Sequence, residues 1–219
     1  MGYGFRVELW GDYALFTRPE FKVERVSYDI LTASAARGIL EAIYWKPAIK
    51  YTIDKIHVYN KPEFTNIRRN EVSATVLGSD IKRLMEGSES GKGYINTKDA
   101  IQQRASLVLK NVRYIVDAHF EITDKAGAED TQEKHYNIML RRLRNGQYFH
   151  QPCFGCREFP VNFRIVEGDI PVSNLSGEED LGYMLFDMDY LDPENIVPVF
   201  TRLKMKNGIV DFREIELVR

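Results

Sequence analysis

Glu133-Lys134-His135-Tyr136 puts an acid, an ammonium, an imidazole and a phenol on consecutive residues. Imidazole titrates near neutrality and moves protons, and a neighbouring ammonium can neutralise charge developing on a phosphate under attack. Asp130 or Thr131 can cap a helix starting here, so the tetrapeptide falls at a helix N-terminus, where unpaired amides and the helix dipole favour an anion. Metal-free RNA cleavage needs such a set: a base for the 2′-hydroxyl, a cation for the phosphorane and an acid for the leaving 5′-oxygen. Arginines one and two turns later, Arg141 and Arg142 among them, can grip neighbouring phosphates. The bland alternative is an ordinary polar first turn.

Other groupings are weaker. Cys153-Phe154-Gly155-Cys156, with His150 three residues earlier, matches part of a metal-binding spacing. A closed zinc site takes four ligands, usually as two separated pairs. Only His135, His119 or His57 remain to complete it, and none repeats the spacing. Packed thiols, with no metal and no cofactor, are therefore expected. Asp187 and Asp189, at i and i+2 of a strand, share a face and can hold magnesium, although an acidic solvated edge is the commoner origin of such a pair. Walker loops, GxSxG elbows and HExxH helices do not occur in the sequence.

The elements that must position these groups follow from periodicity. Phe5 to Trp10 alternates with period two and predicts a strand. Thr32 opens a helix with Ala36, Leu40 and Ile43 on one face and Ile39 beside them, stopped at Trp45-Lys46-Pro47; Tyr44 lies in its last turn. Tyr51 to Tyr59 is a strand, with Phe64 to Arg69 its expected hairpin partner. Gly78 to Thr97 is expected to be a long surface loop with a helical turn at Ile81 to Met85. Ala105 to Leu109 and Arg113 to Ile122 are strands, and Asp124 to Asp130 is a loop. A second helix runs to about Arg144 and ends at Asn145-Gly146. Its expected core face is Tyr136, Leu140 and Leu143; Lys134, Ile138 and Arg141, with His135 and Arg142 close by, face outward. After Cys156 only strands are expected: Val161 to Val166, Gly182 to Asp189, Ile196 to Met205 and Ile209 to Leu217, the last two joined at Lys206-Asn207-Gly208. The order predicts an α+β fold, a ferredoxin-like domain over 1–160 followed by an antiparallel β-sheet extension over 161–219.

Composition bounds the function class. Of 219 residues, 44% are hydrophobic and 28% charged, ordinary for a globular chain. No apolar run is long enough for a membrane span, and Met1 to Arg6 resembles neither a secretory signal nor a myristoylation site. With two cysteines, no disulfide framework is expected. A cytoplasmic protein without a membrane partner is the expectation. The net charge of −2 conceals an asymmetry: residues 167–219 hold 5 Lys/Arg against 12 Asp/Glu, whereas Thr131 to Arg157 carries five Lys/Arg against the single acid Glu133. Tyr136, Tyr148, Phe149 and Phe154 interleave with that basic stretch. Basic density mixed with aromatics suits a single-stranded nucleic acid; a solvated helix face answering the acidic tail in cis is the alternative.

Several separate motifs keep a common order: Gly11 to Pro19, Ser27-Tyr28, Gly38 to Pro47 (Gly-Ile-Leu-Glu-Ala-Ile-Tyr-Trp-Lys-Pro), Ala118-His119-Phe120, Lys134-His135-Tyr136 and Gly155-Cys156-Arg157-Glu158. Together they resemble the CRISPR-associated Cas-five family, subtype d, of the RAMP superfamily, over most of residues 3–160. The resemblance implies an RRM-like, ferredoxin-like N-terminal domain with a β-sheet extension. It also implies a metal-independent endoribonuclease that cuts precursor CRISPR RNA (pre-crRNA) at the base of the repeat hairpin in type I-C systems. Such an enzyme acts by 2′-hydroxyl attack and keeps the mature crRNA as a subunit of the interference complex, so the implied partners are these RNAs and the other protein subunits. Carried over, the catalytic trio is Tyr44, Lys134 and His135; Lys46, Arg141, Arg142 and Arg157 are the expected RNA-binding residues. The family usually has a glycine- and arginine-rich loop before its Gly-x-Arg-Glu motif; here Asn145 to Pro152 has one glycine and no arginine. That departure motivates a second reading, a non-catalytic subunit holding the 5′ handle of mature crRNA. A metal-dependent nuclease using Asp187 and Asp189 is a third.

Overall fold

Phe5, Val7 and Leu9 are buried and Arg6 is exposed, as a strand with one face on a core requires. The computed structural model describes residues 3–21, 23–88, 92–190, 192, 194–213 and 215–218. Its elements are β1 (Phe5–Ala14), β2 (Arg25–Val26), α1 (Ala33–Ile43), β3 (Ile49–Val58), β4 (Phe64–Val72), α2 (Gly78–Met85), α3 (Thr97–Ala100), β5 (Ile101–Ile122), α4 (Gln132–Asn145), β6 (Asn162–Ile165), β7 (Glu178–Asp189), β8 (Val197–Lys206), β9 (Ile209–Asp211) and β10 (Leu217–Val218). The strands join one largely antiparallel sheet whose main path runs β10-β8-β9-β3-β5-β1-β6, with β2 and β4 on β5 and β7 on β8. This is a mixed α+β architecture.

β5 organises the sheet. Its C-terminal half pairs on one side with β1, from Phe5↔Ala118 to Ala14↔Leu109, and on the other with β3, from Ile49↔Ile122 to Val58↔Tyr114. Its N-terminal half pairs with β4, from Phe64↔Leu109 to Val72↔Ile101. The expected hairpin between Tyr51 to Tyr59 and Phe64 to Arg69 is therefore not formed; both strands take β5 as partner, which is one long strand rather than two. Asn111, with φ 52°, sits where the two predicted strands were divided. Gly78–Met85 is helical with no buried residue, longer than the turn expected inside a loop; residues 89–91 of that stretch lie outside the described residues.

Both predicted helices form with their predicted caps. Thr32 accepts from the Ala35 amide to open α1, whose Ala33, Ala36, Ile39, Leu40 and Ile43 are buried. Thr131 accepts from the Lys134 amide to open α4, and Gly146 closes it at φ 61°. α4 buries a different stripe from the one expected: His135, Met139 and Leu143, at i, i+4 and i+8, are inside, while Tyr136 and Leu140 only flank the core. His135 thus faces inward rather than outward. Three residues of the stripe satisfy the 3.6-residue period, and the imidazole there has a hydrogen-bond partner on Nδ1 and a carboxylate within ion-pair distance of Nε2. α1 packs on β3 and β7, α4 on β6, and the helices touch one another. The Asn207-Gly208 turn joins β8 to β9 with both residues at positive φ, and β9 then pairs with β3, fastening the C-terminal strands to the sheet.

Candidate active site

Tyr44 and His135 meet where α1 ends and α4 begins. Trp45-Lys46-Pro47 cannot prolong α1, so Tyr44 turns extended at φ −153°, ψ 124° and its ring swings toward α4. The Tyr44 hydroxyl lies 2.7 Å from His135 Nδ1. His135 Nε2 lies 3.2 Å from Asp130 Oδ1, within ion-pair distance but misaligned for a hydrogen bond. Lys134 Nζ is 3.7 Å from the same oxygen and donates to the Glu129 carbonyl at 3.1 Å. With the proton on Nε2, Nδ1 accepts from the Tyr44 O–H, and the Nε2 N–H lies near the carboxylate without completing a hydrogen bond.

The surroundings fix this arrangement. Tyr51 donates to the Tyr44 carbonyl at 2.7 Å and Phe120 stacks edge-on to His135. Arg142 donates to the Ile43 carbonyl at the end of α1 and holds its guanidinium 5.1 Å from the centre of the Tyr44 ring. Burial pushes the Tyr44 hydroxyl above the usual phenol range, opposed by Arg142 and assisted by Asp130, so at neutral pH it is an uncharged donor. The Gly127 amide, with Lys134 and His135, holds the Asp130 carboxyl below the usual range, against some desolvation. Asp130 is therefore an anion seated between an ammonium and an imidazole.

The three predicted residues are brought together, but not on one open surface. Tyr44 is 3% exposed and His135 1%, whereas Lys134 is exposed. Tyr44 lines a cavity of about 740 Å³, whereas His135 Nε2 is buried next to the partly exposed Asp130. Of the predicted RNA contacts, Lys46 and Arg142 line that cavity, and Arg141 is exposed on α4. Arg157 is exposed on a separate loop anchored on Leu15 through Phe154. Gly155 in that loop has φ 83°, and a Cβ there would lie 1.9 Å from the Leu15 carbonyl oxygen, so only glycine fits. Part of the basic charge is answered in cis: Arg144 pairs with Glu167 at 2.6 Å.

Sequence patterning marks Asp130 only as a cap and Trp45 only as part of a helix stop and a motif. The signal for Asp130 was its spacing, four and five residues before Lys134 and His135. The histidines considered for a metal are otherwise engaged, His57 with Asp117 and His119 with Asp54. Cys153 and Cys156 are free, and burial pushes the Cys153 thiol up. Asp187 is paired with Arg37 at 2.6 Å. Among the described residues no group of three or more His, Cys, Asp or Glu is placed to hold a metal ion, and no helix is long and apolar enough to cross a membrane.

The mixed α+β chain thus sets a phenol at the end of α1 against an imidazole in the first turn of α4, with an ammonium and a carboxylate alongside. Comparison with known proteins makes the class specific. Residues 4–213 match the family described as CRISPR-associated protein (Cas_Cas5), in its Cas5d form. The protein named CRISPR pre-crRNA endoribonuclease Cas5d from Mannheimia succiniciproducens is 46% identical over 216 residues, covering 96% of this chain and 95% of that protein. One of the same name from Thermus thermophilus is 43% identical over 187 residues, covering 85% and 74%. A solved crystal structure of a CRISPR-associated protein superposes with a TM-score of 0.70 at 25% identity, over 96% of this chain and 92% of that one. The chain belongs to the Cas5d family.

Proposed function

We propose that the chain is an endoribonuclease that cleaves precursor CRISPR RNA at the base of the repeat hairpin without a metal ion and remains with the product as a subunit of a type I-C interference complex. The observation that carries this reading is the 2.7 Å contact of the Tyr44 hydroxyl with His135 Nδ1, beside Lys134 and beneath the Asp130 carboxylate. The names of both relatives support it. The strand order β3-β5-β1-β6, with α1 following β1 and α4 following β5, supports reading residues 1–160 and the strand after them as a ferredoxin-like, RRM-like unit extended by the C-terminal sheet.

In this reading the scissile phosphate takes the place of the Asp130 carboxylate. The 2′-oxygen attacks phosphorus, the bond to the 5′-oxygen breaks, and the products end in a 2′,3′-cyclic phosphate and a 5′-hydroxyl. Lys134 stabilises the phosphorane, His135 transfers the proton, and Tyr44, a neutral phenol, holds the imidazole through Nδ1. Lys46, Arg141 and Arg157 contact phosphates along the RNA; Arg142, committed to Ile43 and the Tyr44 ring, positions Tyr44 as well.

The test is digestion of the cognate repeat RNA in EDTA. Wild-type protein cleaves, and Lys134→Ala, on an exposed side chain, folds normally but cuts at least ~100-fold more slowly. Intact RNA with the wild type, or full activity in both Lys134→Ala and His135→Ala, rejects the reading. The burial of Tyr44 and His135 favours a second one, a non-catalytic subunit holding the 5′ handle; tight binding without cutting under the same conditions is its signature.

A further inference from the structure

Beside Tyr44, on the side away from His135's Asp130 partner, lies a cavity of about 740 Å³, within the range of small-ligand sites. Two large aromatic side chains line it and are exposed to water: Trp45 is 53% exposed and Phe149 72% exposed. The Phe149 and His150 amides both donate to the Ala42 carbonyl at 3.0 Å, clamping the loop that carries them onto α1. The His150 ring packs 4.4 Å from that of Phe149. Lys46 and Arg142 add two cations to the lining, against Glu41 as its one acid. Exposed aromatic side chains on a clamped backbone, next to cations, have the composition of a base-stacking platform with phosphate contacts. Nothing in the packing of the core requires Trp45 or Phe149 to be aromatic.

We propose that this cavity holds one unstacked nucleotide of the RNA, adjoining the scissile phosphodiester, with its base against Trp45 and Phe149 and its phosphate near Lys46. The proposal rests on the ribonuclease reading for the position of that nucleotide, since Tyr44 forms both the cavity wall and the contact to His135. It assigns the arginine-free 145–152 loop a role of its own: the grip is aromatic where a basic loop would be purely electrostatic. Base discrimination at this position is weak, because every base offers a π-face, with Glu41 the only acidic acceptor for an exocyclic amine.

The experiment uses the full chain and repeat RNA carrying an abasic residue at each position flanking the cut in turn, with a 2′-deoxy nucleotide at the cleavage site for binding measurements. Trp45→Ala and Phe149→Ala each weaken binding of intact RNA by about tenfold to a hundredfold, and Trp45→Phe and Phe149→Tyr restore most of it. One abasic position causes a similar loss with wild-type protein and no further loss with Trp45→Ala. In a Trp10→Phe background the remaining Trp45 fluorescence is quenched by that RNA and less by its abasic form. Unchanged affinity of the two alanine variants, or abasic and Trp45→Ala losses that multiply, overturns the inference and leaves the cavity to a protein partner. Because binding is read with uncleavable RNA, its result stands apart from that of the cleavage reading, which fails only if the ribonucleotide substrate stays intact.

Discussion

At the scale of residues, Asp130 decides what Lys134 and His135 can do. Because the scissile phosphate replaces this carboxylate in the proposed mechanism, removing its charge while keeping its shape, in Asp130→Asn, is expected to tighten RNA binding by roughly threefold to tenfold at low salt; unchanged affinity means that the carboxylate is not the anion the phosphate displaces. The convergence of Tyr44 with His135 was legible only through the motif resemblance, since the two residues are 91 apart in the chain. The inward direction of His135 was present in the sequence as a competing stripe. Tyr136-Leu140-Leu143 looked more apolar than His135-Met139-Leu143, and the second stripe prevailed with Tyr44 hydrogen-bonded to Nδ1 and the Asp130 carboxylate within ion-pair distance of Nε2. Trp45 was legible only as part of a helix stop and of a motif, because an exposed aromatic is invisible to arguments built on burial.

At the scale of elements, local chemistry wrote its own boundaries. Thr32, Thr131 and Gly146 cap the helices where the sequence places them, because capping depends on a few adjacent atoms. Strand partners were not legible in this way; β4 was assigned to β3 by proximity along the chain, yet the extra length of β5 offered it a longer ladder. The helix Gly78–Met85 was understated because its apolar stripe, Ile81, Leu84 and Met85, spans a single turn and its first turn is Gly-Ser-Asp; the stripe buries nothing. Two glycines separate conformational from steric need. Gly146 and Gly155 both have positive φ, but a Cβ at Gly146 meets nothing, whereas one at Gly155 strikes the Leu15 carbonyl. Gly146→Ala is expected to cost about 1 kcal/mol and Gly155→Ala about 3 kcal/mol or more, measured by urea unfolding. Equal losses contradict the steric argument.

At the scale of the whole molecule, the core is rich in phenols that cannot ionise in place. Burial is the main cause that raises the hydroxyls of Tyr28, Tyr44, Tyr51 and Tyr114 above the usual range, and all four are 2% or 3% exposed. A group raised on folding contributes stability in full below its unfolded value, ~10 for tyrosine, and loses that contribution as pH rises beyond it. Thermal stability is therefore level from about pH 7 to 9 and falls steeply above about pH 10. Absorbance at 295 nm then shows the exposed tyrosines titrating first and the buried ones only with unfolding; one smooth titration of all twelve refutes it. Composition announced a globular chain and the order of elements an α+β fold, but neither showed that β7 to β10 would share one sheet with the rest, a result that hangs on the short pairing of β9 with β3.

β1 and β3 never touch as ladder partners; each waits for β5 to come between them. During synthesis on the ribosome the apolar faces of β1, α1 and β3 consequently emerge with no sheet to join. That interval lasts on the order of several seconds at ordinary elongation rates. The N-terminal half is thus an obligate client of its own downstream sequence, and folding of the nascent chain is gated by the arrival of residue 122 rather than by the completion of any earlier element.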